Sequence, residues 1–254
     1  MVTPATCTVP GATAAFSDHS YALVGEDTFT KAAPTGTFAS SDANAVVYTG
    51  DHGMGWTSYP DGWSSTYTGG APGYEPSTVL SVHDGMLDYA LHTDAAGHPV
   101  GANPSPLPGG KRYQTYGAWS LCERIVPNPG SDLADFYHVP LLWPANDGDG
   151  PAAESDFPEG NMTNTTFSAF AHHSGGQDAF STGAIDSSAW HAFTQTWNPG
   201  QRSYYVDGRL IGTTTTSVWS GPERWQMQME PSGSSSDGGS GHVQVSWVWI
   251  GTPS

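Results

Sequence analysis

Residues 141–160 read LLWPANDGDGPAAESDFPEG. Three acids fall within six of these residues, Glu154, Asp156 and Glu159, in the pattern E-x-D-x-x-E. Runs of alternating apolar and polar residues lie on both sides, so the acids are placed on a β-strand. Side chains on a strand alternate faces with a period of two, which puts Glu154 and Asp156 on one face. Glu159 joins them only if one extra residue is inserted after Asp156. A β-bulge supplies that residue, and Pro158 fits one, because proline within a sheet is confined to edges, strand starts and bulges.

Three carboxylates on one face repel one another, and at least one tends to keep its proton near neutral pH. A retaining glycosidase uses such a set: an ionised carboxylate as nucleophile and a protonated carboxyl as acid, about 5–5.5 Å apart. The same acids would also suit a solvated edge or a calcium loop. The rest of the chain decides between these readings.

Working outward, the 254 residues suffice for one large all-β domain or two small ones. The 32 glycines and 20 prolines suit many strands joined by turns. Seven basic residues against 24 acidic ones give a net charge of −17. Such a surface repels nucleic acid, anionic membranes and sulfated polymers, and is compatible with a neutral substrate. The 10 Trp, 11 Tyr and 9 Phe exceed what a core of this size demands and fit a cleft that stacks on sugar rings. Trp56 and Trp63 stand in a long Gly/Ser/Asp-rich loop, WTSYPDGW; they either form a sugar-stacking wall with Tyr59 or pin the loop to the body. Both are carried forward as substrate-binding candidates. Cys7 and Cys122 are compatible with one disulfide or with two buried free thiols. No apolar run reaches membrane-spanning length. Met1-Val2 before a polar stretch reads as a start placed after a removed leader, and the protein is expected to be secreted and to act as a monomer.

Along the chain, residues 1–20 read as a loose leader and 21–254 as one domain. Thr78 to Thr93 carry Asp84-Gly85 between two alternating runs, a strong hairpin signal. QTYGAWSLCERI, HVPLLW, FSAFAHH, WQMQME and HVQVSWVWI read as further strands. WHAFTQTWNPGQRSYYVDGRLIG reads as three strands split by two turns. With no internal repeat and no linker, the expectation is an all-β fold, a sandwich of two antiparallel sheets.

The order of these motifs resembles bacterial glycoside hydrolase family 16, in the concanavalin-like jelly-roll group. The hairpin SVHDGMLDYAL, then QTYGAWSLCERI, then LLWP with ESDFPE, then WHAFTQTWNPG with YYVDG carry the resemblance, which spans about residues 20–252. It implies a curved sandwich with a polysaccharide cleft on one sheet. It also implies roles: Glu154 as nucleophile, Glu159 as general acid/base, and Asp156 as the residue that holds the nucleophile's charge state. The longer E-x-D-x-x-E form is that of the β-1,3-glucanase, agarase and carrageenase branches. With so few basic residues, a neutral β-1,3-glucan is the first expectation and a β-galactan or agar-type polymer the second. A transglycosylase sharing the same intermediate and a lectin-like binding module are the competing readings. Trp143, His172, Gln226 and Glu230 are further substrate-binding candidates: Trp143 precedes the acids, His172 is expected near Glu159, and Gln226 and Glu230 share a polar strand face. Ser246 stands where many members of the family have a calcium-binding Asp, and no metal or cofactor is expected.

Overall fold

Alternation along the strands explains the layers. In Glu223–Pro231, Trp225, Met227 and Met229 point into the main hydrophobic core, while Gln226, Gln228 and Glu230 point to the other face. The computed structural model describes residues 7–17, 19–232 and 238–254. The start of the leader and residues 233–237 of the Ser/Gly/Asp loop at 232–241 lie outside the described residues.

The larger sheet is antiparallel and runs in the order Thr13–Phe16, His19–Asp27, Gly241–Pro253, Gly117–Pro127, His191–Asn198, Gln201–Val206, Arg209–Thr214. The hairpin Leu80–His83 and Met86–Thr93 joins it on Gly241–Pro253. Its turn has Asp84 and Gly85 both at positive φ, 51° and 71°, the conformation that favours Asp-Gly in a two-residue hairpin. The second sheet runs in the order Gly176–Ser181, Ser168–His173, Ser155–Asn161, Phe136–Pro144, Glu223–Pro231. Beyond its last strand, Ala102 exchanges backbone hydrogen bonds with Met229. A Cβ on Gly101 would lie 2.0 Å from the Met229 carbonyl oxygen, so glycine is required where this loop meets the sheet. The core between the sheets is filled by Leu121, Val243, Val245 and Ile250 from one side and Leu142, Trp225 and Met227 from the other. This is the two-sheet antiparallel sandwich that the sequence predicts. Among the described residues no helix is long and apolar enough to cross a membrane.

The leader is more structured than its composition implied. Thr13–Phe16 pairs with His19–Asp27, and Cys7 is joined to Cys122 by a disulfide with Cα atoms 6.0 Å apart. The indole N–H groups of Trp247 and Trp249 donate to the Cys7 and Gly11 carbonyls, each at 3.0 Å. A four-residue strand, TAAF, has too little alternation to stand out in sequence.

Trp56 corrects another expectation. It is fully buried, its Nε1 donates to Asp27 Oδ2 at 2.8 Å, and its ring packs 5.6 Å from Phe29. It pins the long loop to the body. Within 31–77 that loop also forms the short strands Tyr48–Thr49, Gly55–Ser58, Trp63–Ser64 and Pro72–Tyr74.

Candidate active site

The acids are delivered by the connection between two neighbouring strands. After Phe136–Pro144 the chain makes a turn at Asp147–Asp149 and one helical turn, Gly150–Ala153. A Cβ on Gly150 would lie 2.5 Å from the Trp143 ring, so glycine lets this turn rest on the indole. Glu154 caps the turn in an extended conformation, and its carbonyl accepts from the His172 N–H at 3.0 Å. It is thus already paired with the next strand, although the regular strand begins at Ser155.

The bulge lies where the acid spacing requires it. Asp156 faces Phe170 and Glu159 faces Ser168, three steps on one strand against two on its partner. On the other side, Asp156 faces Leu141 and Gly160 faces His138, again one residue in excess. Pro158 sits in this bulge after a cis peptide bond. Ser155 and Phe157 point to the opposite sheet: Ser155 Oγ donates to Gln195 Oε1 at 3.0 Å, and the Phe157 ring lies 5.6 Å from Phe193. Glu154, Asp156 and Glu159 therefore share the outward face.

Asp156 is 2% exposed. Its Oδ2 lies 2.9 Å from His172 Nε2, so the histidine pairs with Asp156 where the sequence placed it near Glu159. Asp156 Oδ1 is buried with no donor in reach among the described residues, and Glu154 is its neighbour; a proton held between the two acids satisfies both. Tyr137 donates to Glu159 Oε1 at 2.8 Å. Burial, then the charge of Asp156, pushes Glu154 up to about 8. Burial and the Glu159 charge push Asp156 well above the carboxylate range, and burial raises Glu159 against the opposing Tyr137 bond. Near neutral pH the row carries fewer than three negative charges. From behind, the buried Arg202 moderates Asp156; it ion-pairs with Glu223 and lies 4.6 Å over the Trp197 ring. One ligand atom each from Glu154, Asp156 and His172 lies within 4.8 Å of the others, a set able to approach a cation.

Two hollows flank the row. One, of about 190 Å³, is lined by Tyr59, Tyr74, Trp143, Glu154, Gln226 and Gln228 among others. The other, of about 780 Å³, is lined by Asp149, Ala152, His172, His173 and the 174–177 turn. Trp143 is half-buried against the first hollow, with Nε1 donating to Asp147 Oδ1 at 2.9 Å. Gln226 is buried in its floor and donates to the Tyr59 hydroxyl at 2.6 Å. Trp63 is 47% exposed, 5.0 Å from the Tyr59 ring at the rim. Glu230 differs from the sequence expectation: it is buried and accepts from Tyr74 and from the Thr66 N–H, so its carboxylate is occupied by protein donors. Sequence reasoning passed over Tyr137, although it has the same strand parity as Leu141 and Trp143.

No protein-family model matches the sequence, and no curated protein does. The fold is shared with solved structures. An endo-β-1,3-glucanase from Pyrococcus furiosus superposes with a TM-score of 0.69 at 14% identity, covering 97% of this chain and 99% of that one. A non-specific endo-β-1,3(4)-glucanase of glycoside hydrolase family 16, SCLam, co-crystallised with 1,3-β-D-cellobiosyl-cellobiose, gives 0.67 at 16% identity over 97% and 100%. The laminarinase from Rhodothermus marinus gives 0.66 at 15% identity over 92% and 98%.

Proposed function

We propose that this chain is a retaining endo-glycosidase of the glycoside hydrolase family 16 type, cutting β-1,3-linkages in a neutral glucan. One observation carries the reading: three acids are gathered by a bulge onto one outward face, with their pKa values raised, between two hollows large enough for sugar rings. Fold likeness to β-1,3-glucanases supports the substrate class, and the −17 charge supports a neutral polymer.

Burial holds one proton on the Glu154–Asp156 pair near neutral pH; in the reacting form that proton sits on Asp156, the most deeply buried of the three, which leaves Glu154 ionised beside it. Glu154 attacks the anomeric carbon while Glu159 gives its proton to the departing glycosidic oxygen, and a glycosyl ester forms on Glu154. Glu159, now ionised, takes a proton from water. The water oxygen bonds to the anomeric carbon, the ester C–O bond breaks, and Glu154 is freed as carboxylate. His172 holds Asp156 in place through the 2.9 Å contact between Nε2 and Oδ2. Trp143 and Trp63 offer ring faces to the sugars on the Glu154 side. The disulfide between Cys7 and Cys122 supports export to an oxidising compartment.

Reducing-end release from laminarin, mixed-linkage β-glucan, agarose, carrageenan and a β-galactan tests this reading. The expected result is activity on laminarin that disappears in Glu154→Gln. Binding to one of these polymers without cleavage of any would replace the enzyme by a lectin-like module.

A further inference from the structure

The side of the cleft nearest Glu159 is built from two tyrosines and a fourth buried carboxylate. Tyr137 reaches Glu159 Oε1 from the neighbouring strand at 2.8 Å. Tyr67, from the segment between the strands Trp63–Ser64 and Pro72–Tyr74, sets its ring against Tyr137 in an edge-on contact, centroids 5.8 Å apart at 67°. Tyr67 is 48% exposed, and burial, then the charges of Glu230, Glu159, Asp156 and Glu154, push its hydroxyl up. The segment is fastened from below. Glu230 Oε2 accepts from the Thr66 N–H at 3.1 Å and from the Tyr74 hydroxyl at 3.0 Å. Glu230 is also the register partner of Tyr137 on the adjacent strand.

A carboxyl that first gives and then takes a proton must present one oxygen to both the glycosidic oxygen and the water. An unrestrained glutamate rotates about its last side-chain bond and loses that alignment. We propose that Tyr137 is the positioning residue of Glu159, engaging Oε1 so that Oε2 handles the proton, and that the Tyr67 segment, anchored by Glu230, holds Tyr137 in place. The proposal rests on Glu159 being the acid/base. The groups around Glu159 are Glu154 and Asp156 along its own segment, Tyr137 and Glu230 on one side, His172 on the other, and Tyr67 against Tyr137. Of these, Tyr137 gives Glu159 its hydrogen bond, and that bond favours the ionised carboxylate.

The test is the pH dependence of kcat and kcat/KM on laminarin for wild type, Tyr137→Phe, Tyr67→Ala and Glu159→Gln. In Tyr137→Phe, kcat should fall about tenfold with KM changed by less than about twofold. The alkaline limb of kcat/KM should move upward by about half a unit to one unit, because the carboxyl loses the bond that favoured its ionised form. Tyr67→Ala should shift the same limb in the same direction by less; its exposed ring keeps that test available if Tyr137→Phe does not fold. An unchanged kcat and limb in Tyr137→Phe, with Glu159→Gln inactive, would overturn the positioning role and leave the acid/base assignment standing. Wild-type activity in Glu159→Gln would overturn both.

Discussion

Asp27 and Asp51 meet beneath the long loop, and Glu154, Asp156 and Glu159 meet in the cleft; the two clusters differ in how they are supplied with donors. Asp27 is fully buried and accepts from the Phe29 N–H at 2.9 Å and from Trp56 Nε1 at 2.8 Å. Asp51 accepts from the hydroxyls of Thr28 and Thr30 at 2.5 and 2.6 Å, and from both of their N–H groups at 3.2 Å. Burial works against Asp51, but these donors and the Asp27 carboxyl outweigh it and hold Asp51 well below the usual carboxylate range. Burial takes Asp27 up to about 7, so the pair shares a proton with nearly every oxygen satisfied. In the cleft, among the described residues, Tyr137 and His172 are the donors that reach the three acids, and Asp156 Oδ1 has none. Carboxylates that hold the fold are surrounded by donors. Burial raises acids in both clusters, but only those left short of donors have an oxygen free to exchange a proton with a bound molecule.

The largest expected effect separates the two clusters by function. Glu154→Gln should lower laminarin hydrolysis by at least about 10³-fold, the scale seen when a nucleophile is removed. Asp51→Asn should leave kcat within about twofold but lower unfolding stability by about 1–3 kcal/mol, since it disturbs a buried hydrogen-bonded acid. Urea unfolding followed by tryptophan fluorescence, beside reducing-end assays, reads both. Equal stability losses and equal activity losses in the two variants would erase the distinction.

Next come the two tryptophans of the loop. Trp56→Ala should cost about 3–5 kcal/mol, because it leaves a cavity and strips Asp27 of a donor. Trp63→Ala, at the exposed rim, should leave stability within about 0.5 kcal/mol and raise KM several-fold. Denaturation midpoints with Michaelis–Menten kinetics on laminarin decide it.

The smallest effect concerns pH. Glu154 lies at about 8 in the folded protein, above the ordinary value of a free glutamate. Between those two values the folded state binds more protons than the unfolded one, so this group's contribution to stability is present at low pH and lost as pH rises toward 8. Glu154→Gln carries no such charge. Its Tm by calorimetry should match wild type near pH 5 and exceed it by about 2–5 °C near pH 8.5. A wild-type advantage at the higher pH would mean that the acid row is better supplied with donors than its geometry implies.

Much of the sandwich was legible because long strands with one buried face write their alternation plainly, as WQMQME and HVQVSWVWI do. The hairpin at Asp84-Gly85 followed from turn chemistry alone. The acid face was legible through period two plus Pro158, and the structure places the bulge between Asp156 and Glu159. What sequence did not give depends on contacts distant along the chain. Trp56 and Trp63 stand seven positions apart in one loop, and only the approach of Asp27 and Phe29 separates a core residue from a rim residue. Glu230 shares its strand face with Gln226, yet Thr66 and Tyr74, more than 150 residues earlier, occupy its carboxylate. His172 was placed on the correct strand, but its partner, Asp156, was set by the bulge register.

The most direct test of Glu154 as nucleophile is to trap the intermediate. The protein is incubated with a 2-deoxy-2-fluoro-β-laminaribiosyl fluoride, digested, and the labelled peptide identified by mass spectrometry. One fluorosugar ester per chain on Glu154, absent from Glu154→Gln, is the predicted result. A label on another carboxylate, or no label while laminarin is cleaved with inversion at the anomeric carbon, would contradict it.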